Sequence, residues 1–312
     1  MGEIGPHELR LMQELAQRVS LFRPELVNGD ASVGELAWVW GKGYDTLRRF
    51  WKHRLWLVNG KPVAWGWAHL PYRVPRGDGT FAESTTADLI WQVHPDRPEL
   101  LPQVLDWYEE VAGDLDRTLT LQIADEQARA HVAAHGYVFD AQTGSDQGDW
   151  IQTNERNLVE VAAPVLPEGF DFVTAQDVSV ADAVQAHRAA WPGSRLDETA
   201  LARVQNTWPY RADLHLLVRA PDGTLAASTI IWLDEVTRTA EFEPVGTHQD
   251  FRRRGVGTAL LLEGMRRAKA AGANRMMVAC LGAPVHPSAR GLYYGVGFRE
   301  FTRDVPQIKL AR

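Results

Sequence analysis

The chain has 312 residues, 45% hydrophobic and 23% charged, which suits two globular domains better than one. Its formal net charge of −7 argues against nucleic-acid binding, which needs a basic face, and no apolar run reaches the roughly 18 residues that cross a membrane. The single cysteine, Cys280, excludes an internal disulfide and a cysteine-based zinc site. No basic-then-apolar signal pattern opens the chain, so a cytoplasmic location is expected.

Leu9, Leu11, Met12, Leu15, Ala16 and Val19 recur at helical spacing and predict a helix over residues 7–20, with a second over 32–40. Residues 54–58, the turn Asn59-Gly60 and residues 62–70 read as a hairpin, because Asn-Gly accepts the positive φ angles of a tight turn. The stretch 71–83, rich in Gly, Pro and Arg, reads as a loop. A strand over 88–93, a helix over 100–112, a strand over 119–124 and a helix over 126–135 follow. Residues 136–140 open a last hairpin that closes near 150–153.

The second half repeats this order: a strand at 170–173, helices at 179–191 and 198–205, and a hairpin of 214–219 and 225–233 around Pro221-Asp222-Gly223. A strand at 239–246, a long helix at 257–271, a strand at 275–280 and a helix at 287–294 come next, and 298–305 leads into a final hairpin. One unit used twice is the natural reading. It gives an N-terminal domain over 1–154, a linker over 155–168 broken by Pro164 and Pro167, and a C-terminal domain over 169–312. The tryptophans, concentrated in the first half, are expected to pack in cores or interfaces.

The segment between the strand at 239–246 and the long helix carries the chemistry. Arg252-Arg253-Arg254-Gly255-Val256-Gly257-Thr258 forms a glycine-rich turn at a helix N-terminus. Unpaired backbone N–H groups converge there, the helix dipole adds positive charge, and the arginines suit a polyanion. The glycine spacing is neither that of a Walker loop nor that of a dinucleotide fingerprint. Arg252-x-x-Gly255-x-Gly257 before the apolar Ala259-Leu260-Leu261-Leu262 resembles the pyrophosphate motif of the GNAT superfamily of acyl-CoA-dependent N-acyltransferases. Ala289-x-x-Leu292-Tyr293-x-x-x-Gly297-Phe298 resembles that superfamily's second motif. The close match covers residues 241–298, and the tandem plan is similar to that of the mycothiol synthases, with no substrate carried over.

The resemblance implies a mixed α/β (α+β) fold of two tandem GNAT-like domains, each a central, mostly antiparallel sheet flanked by helices. It implies acetyl-CoA as co-substrate, held by backbone groups of Val245, Gly246 and Thr247 along the pantetheine arm. Arg252, Arg253, Arg254, Gly255, Val256, Gly257 and Thr258 would hold the pyrophosphate. His286 stands where many members place an asparagine that helps hold the cofactor arm. Glu241 matches the general base of several members, and Tyr293 the tyrosine near the CoA sulfur. Glu243 shares Glu241's face in a regular strand, and two neighbouring carboxylates raise each other's pKa. Trp191-Pro192-Gly193 and Trp208-Pro209-Tyr210 flank the helix at 198–205 and are candidates for the acceptor pocket.

In the first half, Trp91-Gln92-Val93-His94-Pro95 resembles the end of the central strand, but Asp96-Arg97-Pro98-Glu99 replaces the glycine-rich turn. Pro98 lacks an N–H donor and Glu99 repels phosphate. Ala87 and Val132 occupy the places of Glu241 and Tyr293. This half is expected to bind no CoA in the normal way and to shape the acceptor pocket or an interface. The expected activity is acetyl transfer to a primary amine of a small molecule, in a ternary complex of a monomer or homodimer, with no metal, nucleic acid or membrane. A protein lysine or N-terminal acetyltransferase, and a non-catalytic CoA-binding sensor or scaffold, remain open.

Overall fold

The computed structural model describes residues 4–141, 150–282 and 287–311. Helix α1 (Pro6–Phe22) buries Leu9, Met12, Leu15, Ala16 and Val19 along one face. Helix α2 (Val33–Leu47) outruns its expected end at residue 40, because its C-terminal turns pack on the second half. Strands β1 (Trp51–Val58) and β2 (Lys61–His69) form the expected hairpin. The presumed loop after it contains a hairpin of β3 (Tyr72–Pro75) and β4 (Phe81–Ser84), which forms a separate small sheet. Then come β5 (Ala87–Val93), α3 (Leu101–Ala112), β6 (Arg117–Gln122), α4 (Glu126–Ala134), β7 (Val138–Phe139) and β8 (Ile151–Asn157).

The second half runs β9 (Asp171–Thr174), α5 (Val180–Ala190), α6 (Glu198–Gln205), β10 (His215–Arg219), β11 (Leu225–Asp234), β12 (Thr239–Thr247), α7 (Val256–Ala270), β13 (Arg275–Leu281), α8 (Pro287–Gly295) and β14 (Arg299–Lys309). Ser179 and Asp197 cap α5 and α6 by accepting from Asp182 N and Ala200 N, each cap worth about 1 kcal/mol.

One twelve-stranded sheet crosses both halves in the order β1-β2-β5-β6-β14-β8-β13-β12-β11-β10-β9, with β7 paired to β14. Its pairings are antiparallel except β5–β6 and β12–β13. Two expectations fail here. Residues 155–157, expected in the linker, belong to β8, which pairs with β13 rather than closing a hairpin in the first half. No final hairpin follows residue 298. The single strand β14 pairs with β8 through its first residues and with β6 through Asp304–Lys309. Each half thus completes the other's sheet.

Separate apolar cores lie behind the two stretches of sheet. A further cluster joins Ala37 and Trp38 of α2 to Ala200, Leu201, Val204, Ile230 and Trp232. Two glycines allow this contact. A Cβ at Gly34 would stand 2.5 Å from the Trp232 ring, and one at Gly41 2.6 Å from Val204. They lie seven residues apart on one helix face, so α2 docks flush on β11 and α6.

Candidate active site

Strands β12 and β13 pair from Thr239↔Arg275 to Phe242↔Val278 and then diverge. Beyond Phe242 the β13-facing edge of β12 is unpaired, while its other edge continues along β11 through Val245↔Thr229 and Thr247↔Ala227. The opposing register slips between Thr229 and Ile231, where Glu243-Pro244 bulges out of the ladder. A cavity of about 480 Å³ fills the splay. Glu243, Pro244 and Val245 line one side, Ala279, Cys280 and Leu281 the other, and Ser288, Ala289 and Tyr293 of α8 close one end.

Next to the splay, α7 begins. Gly255 is its N-cap at φ +80°, a left-handed conformation that favours glycine, and a Cβ there would meet nothing within 4 Å. The N–H groups of Val256, Gly257 and Thr258 precede the first intrahelical bond, Ala259 N to Gly255 O. Gly257 serves packing as well as access, since a Cβ would stand 3.1 Å from Thr247 Oγ1 and 3.5 Å from Leu292. Arg252 braces the turn by donating to the carbonyls of Thr247 and Ala190 at 3.2 and 3.3 Å. Arg253 and Arg254 are exposed, with no ion-pair partner among the described residues. Gly246 lets α5 close on β12, because a Cβ there would overlap the Trp191 ring. His286 lies outside the described residues.

The two carboxylates on β12 have different surroundings. Ser32 Oγ donates to Glu241 Oε2 at 2.6 Å while accepting from Glu35 N at 3.0 Å, so one hydroxyl caps α2 and tethers Glu241. Burial raises Glu241 to about 7 against the lowering effect of Ser32 and the Gly34 N–H. Glu241 does not line the cavity; Glu243 does. Burial, then the nearby Glu241 charge, raises Glu243 to about 7, with Lys42 opposing. The Tyr293 hydroxyl is raised by burial first, then by Glu243 and Cys280. Cys280 is also pushed up by burial, with Asn154 Nδ2 at 3.4 Å from its Sγ, so it is no ready nucleophile.

Trp38, Lys42 and Arg76 complete the wall from the first half. Sequence reasoning missed them: α2 carries no motif, and Arg76 sits on the turn of the unexpected β3–β4 hairpin. Trp191, Pro192 and Gly193 line the cavity. Trp191 stacks on His187 at 4.6 Å, and burial holds His187 near 3, hence neutral. Trp208 and Tyr210 stand away from this cavity, Trp208 under Arg10 at 3.8 Å and Tyr210 bonded to His215 at 3.1 Å.

The first half has a matching splay, because β5 and β6 pair only from Ala87 to Leu89. Its own residues close it. Asn28 Nδ2 donates to Trp91 O at 2.8 Å, Gln92 Nε2 to Leu26 O at 3.1 Å, and Trp91 Nε1 across the gap to Thr120 O at 3.0 Å. The turn after it holds an Arg97–Glu99 pair at 2.5 Å in place of glycines.

Residues 180–298, which hold the β12–β13 splay and the glycine-capped helix beside it, match the acetyltransferase (GNAT) family. The match spans α5 to α8. A GCN5-related N-acetyltransferase from Sphaerobacter thermophilus is similar over 98% of this chain and 94% of its own, at 19% identity and a TM-score of 0.60. A tandem GNAT protein from the clavulanic acid biosynthesis pathway is similar over 98% and 97%, at 15% identity and a TM-score of 0.59. These likenesses extend the fold across both halves. No curated protein matches the sequence. Among the described residues no helix is long and apolar enough to cross a membrane, and no cluster of metal-ligating side chains occurs.

Proposed function

We propose that the chain transfers the acetyl group of acetyl-CoA to the primary amine of a small molecule, by direct attack within a ternary complex. One observation carries this reading: the cavity in the β12–β13 splay brings Glu243 and Tyr293 together beside an unpaired strand edge and the N-terminus of α7. In this reading the free edge over Val245–Thr247 takes the pantetheine arm as an added strand, and the N–H groups of Val256–Thr258 hold the diphosphate. Arg253 and Arg254 add charge, and Arg252 fixes the turn.

An ammonium ion arriving at neutral pH gives a proton to Glu243, which stands closer to the cavity than Glu241. The nitrogen lone pair then forms the new bond to the thioester carbonyl carbon. The C–S bond breaks with its electron pair on sulfur, and the Tyr293 hydroxyl protonates the departing thiolate. The nitrogen loses its second proton, and net exchange with solvent restores both groups. Glu241, held by Ser32 behind Glu243, keeps the pair's affinity for protons near neutrality. The filled N-terminal splay supports a single acetyl-CoA site per chain. Residues from both halves wall the cavity, which favours a metabolite over a peptide.

Calorimetric titration with acetyl-CoA, followed by CoA-release assays over an amine panel, tests this. One site per chain and amine-dependent release are expected. Two sites would place a second cofactor in the N-terminal half, and tight binding without release for any amine would leave a CoA-binding scaffold.

A further inference from the structure

The cavity has two electrically distinct ends. Toward β12 stand Glu243 and, behind it, Glu241, with Glu35 of α2 close enough to feel both charges. Lys42, a lining residue on which Glu243 and Glu35 both act, stands between the ends, and toward the β3–β4 turn stands Arg76, also a lining residue, with Arg195 next to the lining residue Ser194. Arg195 is near enough to interact electrostatically with Lys42 and Arg76. None of these three cations forms an ion pair within 4 Å among the described residues, whereas Arg203 and Arg275 each meet an acidic side chain. Arg195 Nη1 is buried and has no hydrogen-bond partner. Arg10, Arg18 and Arg117 also carry buried atoms without a partner, but Arg195 is the one among them next to the cavity lining, where an acceptor from outside the chain can reach it. Trp38, with Lys42 Nζ 5.0 Å from its ring, and Trp191 supply the apolar walls between the ends.

We propose that the acetyl acceptor is a zwitterion: a primary amine whose ammonium end meets Glu243 and whose oxyanion end, a carboxylate, is held by Arg76 and Arg195. The inference rests on the acyl-transfer reading above and adds the class of acceptor. A guanidinium presents parallel N–H donors matched to a carboxylate. With the anion fixed at one end, the amine reaches the thioester from the other. Fixing both ends orients the nucleophile, the contribution to rate that a cavity is built to make. A simple cationic amine would leave the basic end unsatisfied and lie beside like charge. A phosphate ester of an amino alcohol offers the same oxyanion chemistry and forms a separate arm of the test.

CoA release is measured on the full-length protein with matched pairs that differ only in the carboxylate: β-alanine and ethylamine, phenylalanine and phenethylamine, tryptophan and tryptamine. Phosphoethanolamine is set against ethylamine. The expected result is a kcat/KM at least about tenfold higher for the carboxylated member of the best pair. Arg76→Ala, on an exposed turn, and Arg195→Ala should raise KM for that member and bring the ratio toward one, with the calorimetric Kd for acetyl-CoA unchanged. Equal or better turnover of the plain amines overturns the zwitterion while sparing acyl transfer, and a preference confined to phosphoethanolamine replaces the carboxylate by a phosphate. Weaker acetyl-CoA binding in either variant, with acceptor ratios unmoved, assigns the cations to CoA and also overturns the inference. No turnover with any amine, despite bound acetyl-CoA, removes the acyl-transfer reading itself.

Discussion

Two carboxylates two positions apart on β12 meet different neighbours, and that difference divides their roles. Glu243 faces the cavity, while Glu241 is bonded to the Ser32 hydroxyl that caps α2. Glu243→Gln is expected to lower kcat by about a hundredfold to ten-thousandfold, in line with loss of a general base. Glu241→Gln should lower it less and shift the lower limb of the pH profile downward, since it removes a charge that raises Glu243. With Glu243 near 7, kcat/KM should rise with pH through about 7 as the carboxylate loses its proton. A pH series on the three proteins checks this, and a larger loss in Glu241→Gln would exchange the roles. The sequence made Glu241, Glu243 and Tyr293 visible because they sit at fixed offsets from glycine-rich motifs. By resemblance it put Glu241 first as the base and Glu243 only beside it. The bulge at Glu243-Pro244 and the Ser32 contact, 209 residues away in the chain, decide which one lines the cavity.

The elements differ in how far local sequence determines them. Helix α7 and its turn were legible because capping, glycine and apolar periodicity act within a few residues. Gly257 shows the limit: the motif places it in the anion-binding turn, yet its missing Cβ also lets α7 approach Thr247 and Leu292. Gly257→Glu is expected to abolish the calorimetric heat of acetyl-CoA, and Gly257→Ala, whose smaller side chain meets the same contacts, to lose part of it. Unchanged affinity in the glutamate variant would remove the diphosphate from α7. Strand β14 was misread as half of a hairpin because pairing partners leave no local trace. Where it crosses to β6, Asp304 is buried, accepts from Gln122 Nε2, and has an unpaired Oδ2. Burial, then Asp30, raises it to about 8 from an ordinary 3.8. The folded state therefore binds a proton that the unfolded chain has released, and stability falls as pH climbs from about 4 toward 8. Asp304→Asn keeps an acceptor for Gln122 without the charge. It should raise Tm near pH 8.5 and change it little below pH 3.8, as thermal melts at the two pH values would show.

Across the whole chain, the repeat was legible but the exchange between the copies was not. Each half spells out its own hairpin, central strand and helix, and tandem copies imply a boundary between them. The sheet crosses that boundary through β8 beside β13 and β14 beside β6. Helix α2 seals the site from the other side through Gly34 and Gly41, and Asp45 holds Arg203 with bonds of 2.8 and 3.0 Å. A C-terminal fragment beginning at Trp150 would keep both sequence motifs, yet it would expose the edge of β14 that β6 covers and leave Glu241 without Ser32. Exposed strand edges of this kind promote association. The fragment alone is expected to aggregate or to self-associate, and to release no CoA with an amine that the full chain acetylates. Co-expression with residues 4–141 should recover a one-to-one complex and a measurable fraction of the activity, read by size-exclusion chromatography and CoA release. A monomeric, folded fragment with full activity would show that the second half alone carries the site, and would reduce the first half's contribution to the walls of the cavity.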